Sequence, residues 1–385
     1  MTDNTLYYKG SFGLERETLR VDSLGRLAKT PHPFGDDDSI TRDFCENQIE
    51  LITPVCSSID EVMESLRLLD LRVREQLSKN GEQIWLYSNP PHIDSEDEIP
   101  VADFKGEHSG KRVYREQLER RYGKRLMLFS GVHFNFSFDD EYLRTLSGGG
   151  DFESFKSSFY LRLYKQLCRY SWLPLLLTAA SPYYDRSVEG DGLGGVKLGR
   201  FASYRSGEKG YWNGFVPLLR HGSLDEFIDS IRFYVEKGVL FSASELYLPV
   251  RIKPKGVNSL ESFKNGVSHI ELRMFDLDPT QPLGVDKNAL EFAHLLIMYL
   301  SSLPDFEYTD DLQILSIRNH QNAALYDLSG IEIEGRPILI RAREILDLML
   351  DHFEGDLNAM TVIKAQKQKL TNRLCERIKA EEIYK

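Results

Sequence analysis

The amino-acid sequence predicts an α+β protein with a largely antiparallel sheet. Polar and apolar residues alternate over residues 12–22, 130–138, 245–253 and 269–275, as they do in strands with one buried face. Irregular stretches separate these segments, whereas regular β-α-β units would predict a doubly wound parallel sheet. An antiparallel sheet can line an open cavity with its polar face, so candidate catalytic residues are expected on that face.

Helix signals occur between the predicted strands. Residues 59–79 place their apolar side chains on one stripe behind a Ser-x-x-Glu capping box. A basic amphipathic helix is expected over residues 111–127. A long aromatic helix is expected over about residues 152–180, with a bend at Pro174 because proline disrupts the helical hydrogen-bond pattern.

The domain organisation is expected to be simple. No long Pro/Gly/Ser linker and no internal repeat divides the sequence, which lowers the number of domains that chain length alone suggests. We expect residues 1–385 to form a single domain whose C-terminal part, about residues 305–385, is mostly helical.

Composition and charge argue against several partners and locations. The sequence has 48 Lys and Arg against 59 Asp and Glu, a net charge of −11, so no nucleic-acid partner is expected, because phosphates need a basic surface. The most apolar run, residues 172–180, is too short to span a membrane, so no membrane partner is expected either. Four cysteines without a C-x-x-C motif favour a reducing, cytoplasmic location. Nothing indicates an obligate protein partner.

Acidic residues on separate segments are the first candidates for a functional site. Glu15 and Glu17 share one face of the first strand, where two carboxylates repel each other unless water or a cation intervenes. Asp43 and Glu50 align on a helix, but they fall on opposite faces of a regular strand, so a bulge would be needed there. A solvated face without a function is the alternative for each pair.

A histidine and an arginine add to these acids. His133 lies in an alternating segment, and a neutral imidazole beside carboxylates can ligate a metal, although a single strand histidine is more often structural. Glu271 and Arg273 lie two residues apart on one strand face. That spacing fits either an exposed ion pair or a metal ligand beside an arginine that stabilises phosphoryl charge.

The chemistry of these candidates indicates a hard divalent metal. Carboxylate oxygens suit Mg²⁺ or Mn²⁺ better than zinc. The sequence contains no G-x-x-x-x-G-K-[ST] loop, no G-x-S-x-G and no H-E-x-x-H motif. Several Mg²⁺ ions on a sheet could hold ATP phosphates without such a loop, so the residues by themselves predict a magnesium-dependent nucleotide enzyme.

Several stretches resemble one family of ligases. They are Gly13–Val21, Asp43–Pro54, Tyr114–Gly123, Ser130–Ser137, Glu245–Tyr247 and Ile270–Arg273. In these motifs the sequence resembles the proteobacterial-type glutamate–cysteine ligases (γ-glutamylcysteine synthetases) and the N-terminal half of the bifunctional glutathione synthetases. The resemblance runs in order from about residue 10 to residue 300.

The resemblance implies a glutamine-synthetase-like catalytic domain, in which a curved, mostly antiparallel sheet forms a funnel with helices outside. It also implies roles for individual residues. The implied Mg²⁺ ligands are Glu15, Glu17, Asp43, Glu50, His133 and Glu271. Arg273 would act near the transferred phosphate, and Arg205 would hold a substrate carboxylate. The implied cysteine pocket consists of Phe44, Tyr114, Leu118, Tyr211 and Tyr247, with Arg115 at its edge.

The activity that the resemblance implies uses the small molecules ATP, L-glutamate and L-cysteine, with Mg²⁺ or Mn²⁺. The γ-carboxylate of glutamate would be joined to the amine of cysteine through γ-glutamyl phosphate, the first step of glutathione biosynthesis. No ATP-grasp-like second half follows, so the dipeptide rather than glutathione is the expected product. Two alternatives stay open: a γ-glutamyl ligase with a different small amine acceptor, and a non-catalytic Mg²⁺- or amino-acid-binding regulator on the same scaffold.

Overall fold

A computed structural model describes residues 7–104, 110–190 and 193–384. The strands within these ranges are β1 (Gly10–Asp22), β2 (Ile40–Thr41), β3 (Gln48–Ile52), β4 (Glu82–Trp85), β5 (Val132–Phe138), β6 (Tyr183–Asp185), β7 (Val196–Leu198), β8 (Val250–Pro254), β9 (Val267–Phe275), β10 (Glu332–Ile333) and β11 (Arg336–Pro337). The central sheet runs in the order β2-β3-β1-β5-β9-β8, and β4 also pairs with β1. All of these pairs are antiparallel, which confirms the predicted α+β class.

Helices flank the sheet and follow it in the chain. They are α1 (Ile59–Ser78), α2 (Gly110–Tyr122), α3 (Asp140–Leu146), α4 (Phe152–Tyr170), α5 (Trp172–Thr178), α6 (Leu224–Glu236), α7 (Lys287–Ser302), α8 (Asp310–Ala323), α9 (Ile338–His352), α10 (Leu357–Lys369), α11 (Leu374–Arg377) and α12 (Ala380–Ile383). Among the described residues, none of these helices combines the length and the apolar character needed to cross a membrane.

Three of the four predicted strands are confirmed as β1, β5 and β9. The fourth prediction is wrong over its first half, because residues 243–245 form a 3₁₀ turn and β8 begins only at Val250. Asn213 explains the difference. Its carbonyl oxygen accepts the N–H of Tyr247 at 2.9 Å, and its amide donates to the carbonyl oxygen of Glu245 at 2.7 Å. A side chain therefore takes hydrogen bonds that a neighbouring strand would otherwise make.

Two predicted helices end or bend earlier than expected. The basic helix α2 stops at Tyr122, because Gly123 adopts the left-handed conformation with φ +75° and closes the helix. The aromatic helix is interrupted at Ser171, not at Pro174. Pro174 lies in the first turn of α5, where a backbone N–H would have no helical acceptor, so its ring is tolerated.

The core lies between the apolar face of the sheet and the helices. Phe12 and Leu14 of β1 and Phe134 and Phe136 of β5 are all buried in the main apolar cluster. Helices α1, α4 and α5 pack on the strands of the central sheet, and α7 packs on all three of these helices. The even-numbered positions of β1 thus face the core, which leaves its odd-numbered positions from Gly13 to Glu17 for the opposite side.

The charged residue Arg16 lies on the core face of β1. Arg16 Nη2 lies 2.7 Å from Asp70 Oδ1 on α1, and the two side chains are 0% and 5% exposed. Arg16 Nη1 also donates to the carbonyl oxygen of Leu283 at 2.9 Å. Asp70 binds Arg74 through its other oxygen. This network joins the central strand, a covering helix and the loop before α7.

The substitution Asp70→Ala should lower the free energy of unfolding by about 3–5 kcal/mol, because it leaves the buried Arg16 charge without its carboxylate. Urea denaturation followed by circular dichroism measures the change. Glu64→Ala on the same helix is the matched control, since its ion pair with Arg67 is exposed and should cost less than about 1 kcal/mol. Equal effects of the two substitutions would contradict the role of the buried pair.

A histidine on α7 makes the core sensitive to acid. His294 packs against the rings of Tyr8, Phe12 and Phe136, and burial lowers its pKa to about 4. The folded protein therefore keeps this imidazole neutral, while the unfolded chain takes up a proton below about pH 6.5. The stability contributed by this group is complete above that pH and declines as the pH falls toward 4.

Between pH 7 and pH 5 this single group should cost about 2 kcal/mol of stability, at 1.36 kcal/mol per pH unit below about 6.5. The variant His294→Leu should lack this part of the pH dependence. Chemical denaturation of both proteins at pH 7, 6 and 5 measures the difference, and the pH 7 values set the baseline cost of the substitution. Parallel stability profiles would show that His294 does not contribute.

Candidate functional site

The polar face of the sheet gathers most of the acidic residues predicted for the site. The opposed residues in three strand pairs are Glu15 with His133, Glu17 with Glu50, and Asn135 with Glu271. Directly opposed residues of antiparallel strands point to the same side of a sheet. The strands β3, β1, β5 and β9 therefore contribute side chains to one continuous polar surface.

His133 contacts three carboxylates on this surface. Its Nδ1 lies 3.1 Å from Glu15 Oε2 and 3.6 Å from Glu271 Oε1, and its Nε2 lies 3.6 Å from Glu17 Oε1. One ligand atom each from Glu15, His133 and Glu271 lies within 4.8 Å of the others. His133 is 2% exposed and Glu271 is 0% exposed, so these two members are sheltered from water, whereas the Glu15 side chain is 24% exposed.

Positive charge surrounds the most buried carboxylate of the cluster. Arg273 Nη1 lies 2.9 Å from Glu271 Oε1, and Lys253 Nζ lies 3.1 Å from Glu271 Oε2. Burial alone would raise the pKa of Glu271, but Arg273, Lys253 and Arg251 outweigh it and hold that pKa well below its usual value. Glu271 is therefore ionised at neutral pH despite its burial.

The other carboxyl groups have fewer cationic partners. Burial acts against ionisation of Glu15, but the hydrogen bond with His133 and its charge lower the Glu15 pKa overall. Burial raises the pKa of Glu17. Burial and then the charge of Asp43 raise the pKa of Glu50 well above its usual value. These acids repel each other, which favours a cation between them.

Neither geometry considered for Asp43 and Glu50 occurs. Glu50 belongs to β3, and Asp43 lies in an irregular segment ahead of it, with neither a helix nor a strand bulge between them. Gln48 closes the turn, because its Oε1 accepts the N–H groups of Phe44 and Cys45 at 2.7 and 2.9 Å. The two acids lie beside the three-residue cluster and are not part of it.

The cluster fits a divalent metal. His133 Nε2 and Asn135 Oδ1 are buried and make no hydrogen bond with any described residue, and buried polar atoms of this kind normally have partners. Oxygen donors with one imidazole suit Mg²⁺ or Mn²⁺. The residues that could hold such an ion are the cluster and the neighbouring carboxylates.

Two arginines border the cluster. Arg273 Nη1 lies 3.4 Å from His133 Nδ1 in addition to its contact with Glu271. Arg205 Nη1 donates to the carbonyl oxygen of Arg273 at 2.9 Å, and its Nε is buried without a hydrogen bond in the described structure. A Cβ at Gly131 would lie 2.3 Å from Arg205 Cζ, so only glycine leaves room for this guanidinium.

The residues predicted for an acceptor pocket share one apolar cluster, separate from the main core. Its members include Phe44, Tyr114, Leu118, Tyr211 and Tyr247. The rings of Tyr211 and Tyr247 lie 4.2 Å apart, and the two side chains interact through their hydroxyl groups.

Arg115, predicted at the edge of the acceptor pocket, binds main-chain groups. Its guanidinium donates to the carbonyl oxygens of Asp43 and Lys111. The guanidinium is therefore occupied by main-chain partners and ties α2 to the segment that carries Asp43.

A buried acid fixes the main chain around Tyr247. Glu245 is 0% exposed and accepts hydrogen bonds from Arg121 and from the Tyr122 hydroxyl, the latter at 2.8 Å. Asn213 bridges the main-chain groups of Glu245 and Tyr247. The rings of Tyr122 and Tyr247 lie 5.5 Å apart. The position of Tyr247 thus depends on the end of α2 and on the loop that carries Asn213.

A cavity opens beside the cluster on the same face of the sheet. Its volume is about 320 Å³, and its lining includes Gly13, Glu15, Val55, Asn135, Ser137 and His269. Glu15 and Asn135 belong to both the cavity wall and the polar surface around His133. A ligand in this cavity would therefore reach the cluster directly.

Sequence reasoning missed several residues of this site. Lys253 and Arg251 share one face of the alternating segment, so strand parity could have indicated both. Asn135 shares the face of His133 by the same argument, and it donates to Glu15 Oε1 at 3.3 Å. Asn213 gave no signal, because its partners are more than 30 residues away in the chain.

The fold and the site together define a class, an enzyme on an antiparallel sheet with a donor set for a divalent metal. The glutamate-cysteine ligase family model matches residues 2–203 and 232–323. The chain therefore belongs to the glutamate–cysteine ligase family.

Individual relatives agree with this assignment. The chain is 31% identical to the glutamate–cysteine ligase of Clostridium acetobutylicum, over 84% of this chain and 78% of that protein. It is 35% identical to the glutathione biosynthesis bifunctional protein GshAB of Clostridium perfringens, over 95% of this chain but 50% of that protein. The chain thus spans about half the length of the curated bifunctional relatives it matches.

Two solved structures share the fold. The bifunctional glutathione synthetase from Pasteurella multocida superposes with a TM-score of 0.85 at 25% identity, covering 99% of this chain and 52% of that one. The glutamate–cysteine ligase from Francisella tularensis in complex with AMP superposes with a TM-score of 0.84 at 25% identity, covering 96% of this chain and 84% of that one.

The substitution Glu271→Gln should weaken Mn²⁺ binding by at least about tenfold, because even the groups that support metal ligands contribute 10- to 100-fold. Electron paramagnetic resonance of free Mn²⁺ during titration of the protein measures the affinity. Glu64→Gln, an exposed change on α1, is the matched control and should bind as the wild type does. Unchanged Mn²⁺ affinity in Glu271→Gln would exclude the cluster as the metal site.

Proposed function

We propose that this chain is an ATP-dependent ligase that joins the γ-carboxylate of L-glutamate to the amine of L-cysteine. The observation that carries the proposal is the cluster of Glu15, His133 and Glu271 with Arg273 against it, in a chain of the glutamate–cysteine ligase family. The product would be γ-glutamylcysteine, the first intermediate of glutathione biosynthesis.

The proposed metal is Mg²⁺, with Mn²⁺ as a substitute. Glu15, Glu17, His133 and Glu271 would hold one or more ions, with Asp43 and Glu50 as further carboxylate ligands beside them. Bound there, the metal would neutralise phosphate charge that these acids would otherwise repel.

The cavity of about 320 Å³ supports a nucleotide site. It adjoins the cluster through Glu15 and Asn135, so a nucleoside placed in it would direct its phosphates toward the proposed metal ligands. The solved Francisella tularensis relative contains AMP.

The reaction needs an activated carboxylate, because oxide is a poor leaving group. An oxygen of the glutamate γ-carboxylate would attack the γ-phosphorus of ATP, and ADP would leave. Arg273 lies beside the cluster, where negative charge on the transferred phosphoryl group would develop, and it offers a fixed positive charge. The Nε of Arg205 has no hydrogen-bond partner among the described residues, and we assign it to a substrate carboxylate.

The second step would form the amide. The amine nitrogen of the acceptor would attack the acyl carbon, phosphate would leave and the nitrogen would lose a proton. The apolar side chains of Phe44, Leu118, Tyr211 and Tyr247 would exclude water from the acceptor pocket. Their exclusion of water would protect the acyl phosphate from hydrolysis. The Tyr247 hydroxyl, beside that of Tyr211, would hold the acceptor.

We place the reaction in the cytoplasm. The four cysteines of the chain are free and buried, as expected in a reducing compartment.

Phosphate release from ATP, Mg²⁺ and glutamate should depend on cysteine. The assay varies the amine and compares cysteine with 2-aminobutyrate, because a small pocket separates similar side chains by only about 1–3 kcal/mol. Faster release with another amine would favour a different acceptor. If none of the amines supports phosphate release at saturating Mg²⁺ and ATP, a non-catalytic binding protein would be favoured. Glu271→Gln should be inactive although folded, and it is the negative control.

A further inference from the structure

We propose that Lys253 binds the β- or γ-phosphate of the nucleotide. The proposal rests on the proposed function and adds a phosphate ligand to it. Lys253 lies on β8, opposite His269 of β9, and its Nζ is 3.1 Å from Glu271 Oε2. Its side chain is 14% exposed, so the ammonium group lies at the boundary between the buried cluster and the open face.

Charge is divided across the polar face of the sheet. The acids on β1 and β3 are Glu15, Glu17 and Glu50, whereas β8 and β9 carry the cations Arg251, Lys253 and Arg273 around a single acid, Glu271. A divalent ion bound to phosphate presents a cation next to an anion. A metal–phosphate pair is therefore complementary in charge to this face, with the ion toward the acids and the phosphate oxygens toward the cations.

The other cations on this side already have several partners. Arg251 donates to the carbonyl oxygens of Ser244 and Leu246, at 2.8 and 2.9 Å through Nη2. Arg273 contacts both Glu271 and His133. Lys253 has the single carboxylate of Glu271 as its ionic partner among the described residues. A lysine is a flexible point charge that suits phosphate oxygens.

The position of Lys253 also fits the path of a triphosphate. His269, its opposite residue on β9, lines the cavity of about 320 Å³, and so does Glu15. Lys253 therefore neighbours the cavity wall through His269 and contacts Glu271 directly. Phosphates that run from a nucleoside in the cavity toward the cluster would pass its ammonium group.

A neighbouring lysine provides a matched control. The strand register shifts between Lys253 and Pro254, and beyond this irregularity Lys255 pairs instead with both oxygens of Glu153 at 2.9 Å. Lys255 thus has the same charge on the same strand end, without a contact to the cluster.

Isothermal titration of the full chain with ATP and with AMP, each with Mg²⁺, tests the proposal. Lys253→Met should raise the Kd for ATP by about 10- to 100-fold, as loss of a charge-assisted hydrogen bond does, while the Kd for AMP stays unchanged. Lys253→Arg should recover part of the ATP affinity, and Lys255→Met should leave both affinities as in the wild type.

Two results would overturn the proposal. An equal loss of ATP and AMP affinity in Lys253→Met would assign the residue a structural role, and unchanged ATP affinity would leave it only as the counter-ion of Glu271. Phosphate release by the wild type is measured in parallel. If no amine supports release but Lys253→Met still loses ATP selectively, the ligase proposal fails and the phosphate contact stands.

Discussion

The buried Glu271 carboxylate needs positive charge at both of its oxygens, and this requirement organises the site. Arg273 supplies it at Oε1 and Lys253 at Oε2. Without them, burial would favour the protonated acid, which is a poor ligand for a divalent ion. The two cations come from β9 and β8, so the pairing of these strands is as important to the chemistry as the acids themselves.

Contacts with the main chain position the side chains that border the site. The guanidinium of Arg205 is held beside the cluster by its hydrogen bond to the main chain of β9, and Gly131 leaves the space for it. Tyr247 depends on Asn213 and on the buried Glu245. Main-chain geometry outside the sheet therefore sets the positions of the side chains that would contact the amino-acid substrates.

Strand parity explains how much of the site could be predicted from the sequence. Alternation alone put Glu15 and Glu17 on one face, and likewise Glu271 and Arg273. It could not supply the register between distant strands, which depends on the packing of the whole core and which sets Glu15 against His133. The same alternation located the strands, and the irregular connections between them argued against a doubly wound sheet, so the fold class could be predicted.

The remaining differences have local causes that patterns do not reveal. The side chain of Gln48 closes the turn after Asp43, and Asn213 replaces a strand partner around Tyr247. The interruption of the aromatic helix falls at Ser171, where the hydroxyl donates to the carbonyl oxygen of Cys168 and contacts His320. In each case a polar side chain satisfies main-chain or buried groups that sequence periodicity assigns to regular structure.

Charge on both sides of β1 also protects the protein against misassembly. Arg16 points into the core between two glutamates that point away from it, and it is anchored by Asp70. If the strand were displaced by one position, two carboxylates would enter the apolar interior and a guanidinium would stand among the acids. Such an arrangement would be strongly unfavourable. The charged residues of β1 that serve the site therefore also specify the register of the strand during folding.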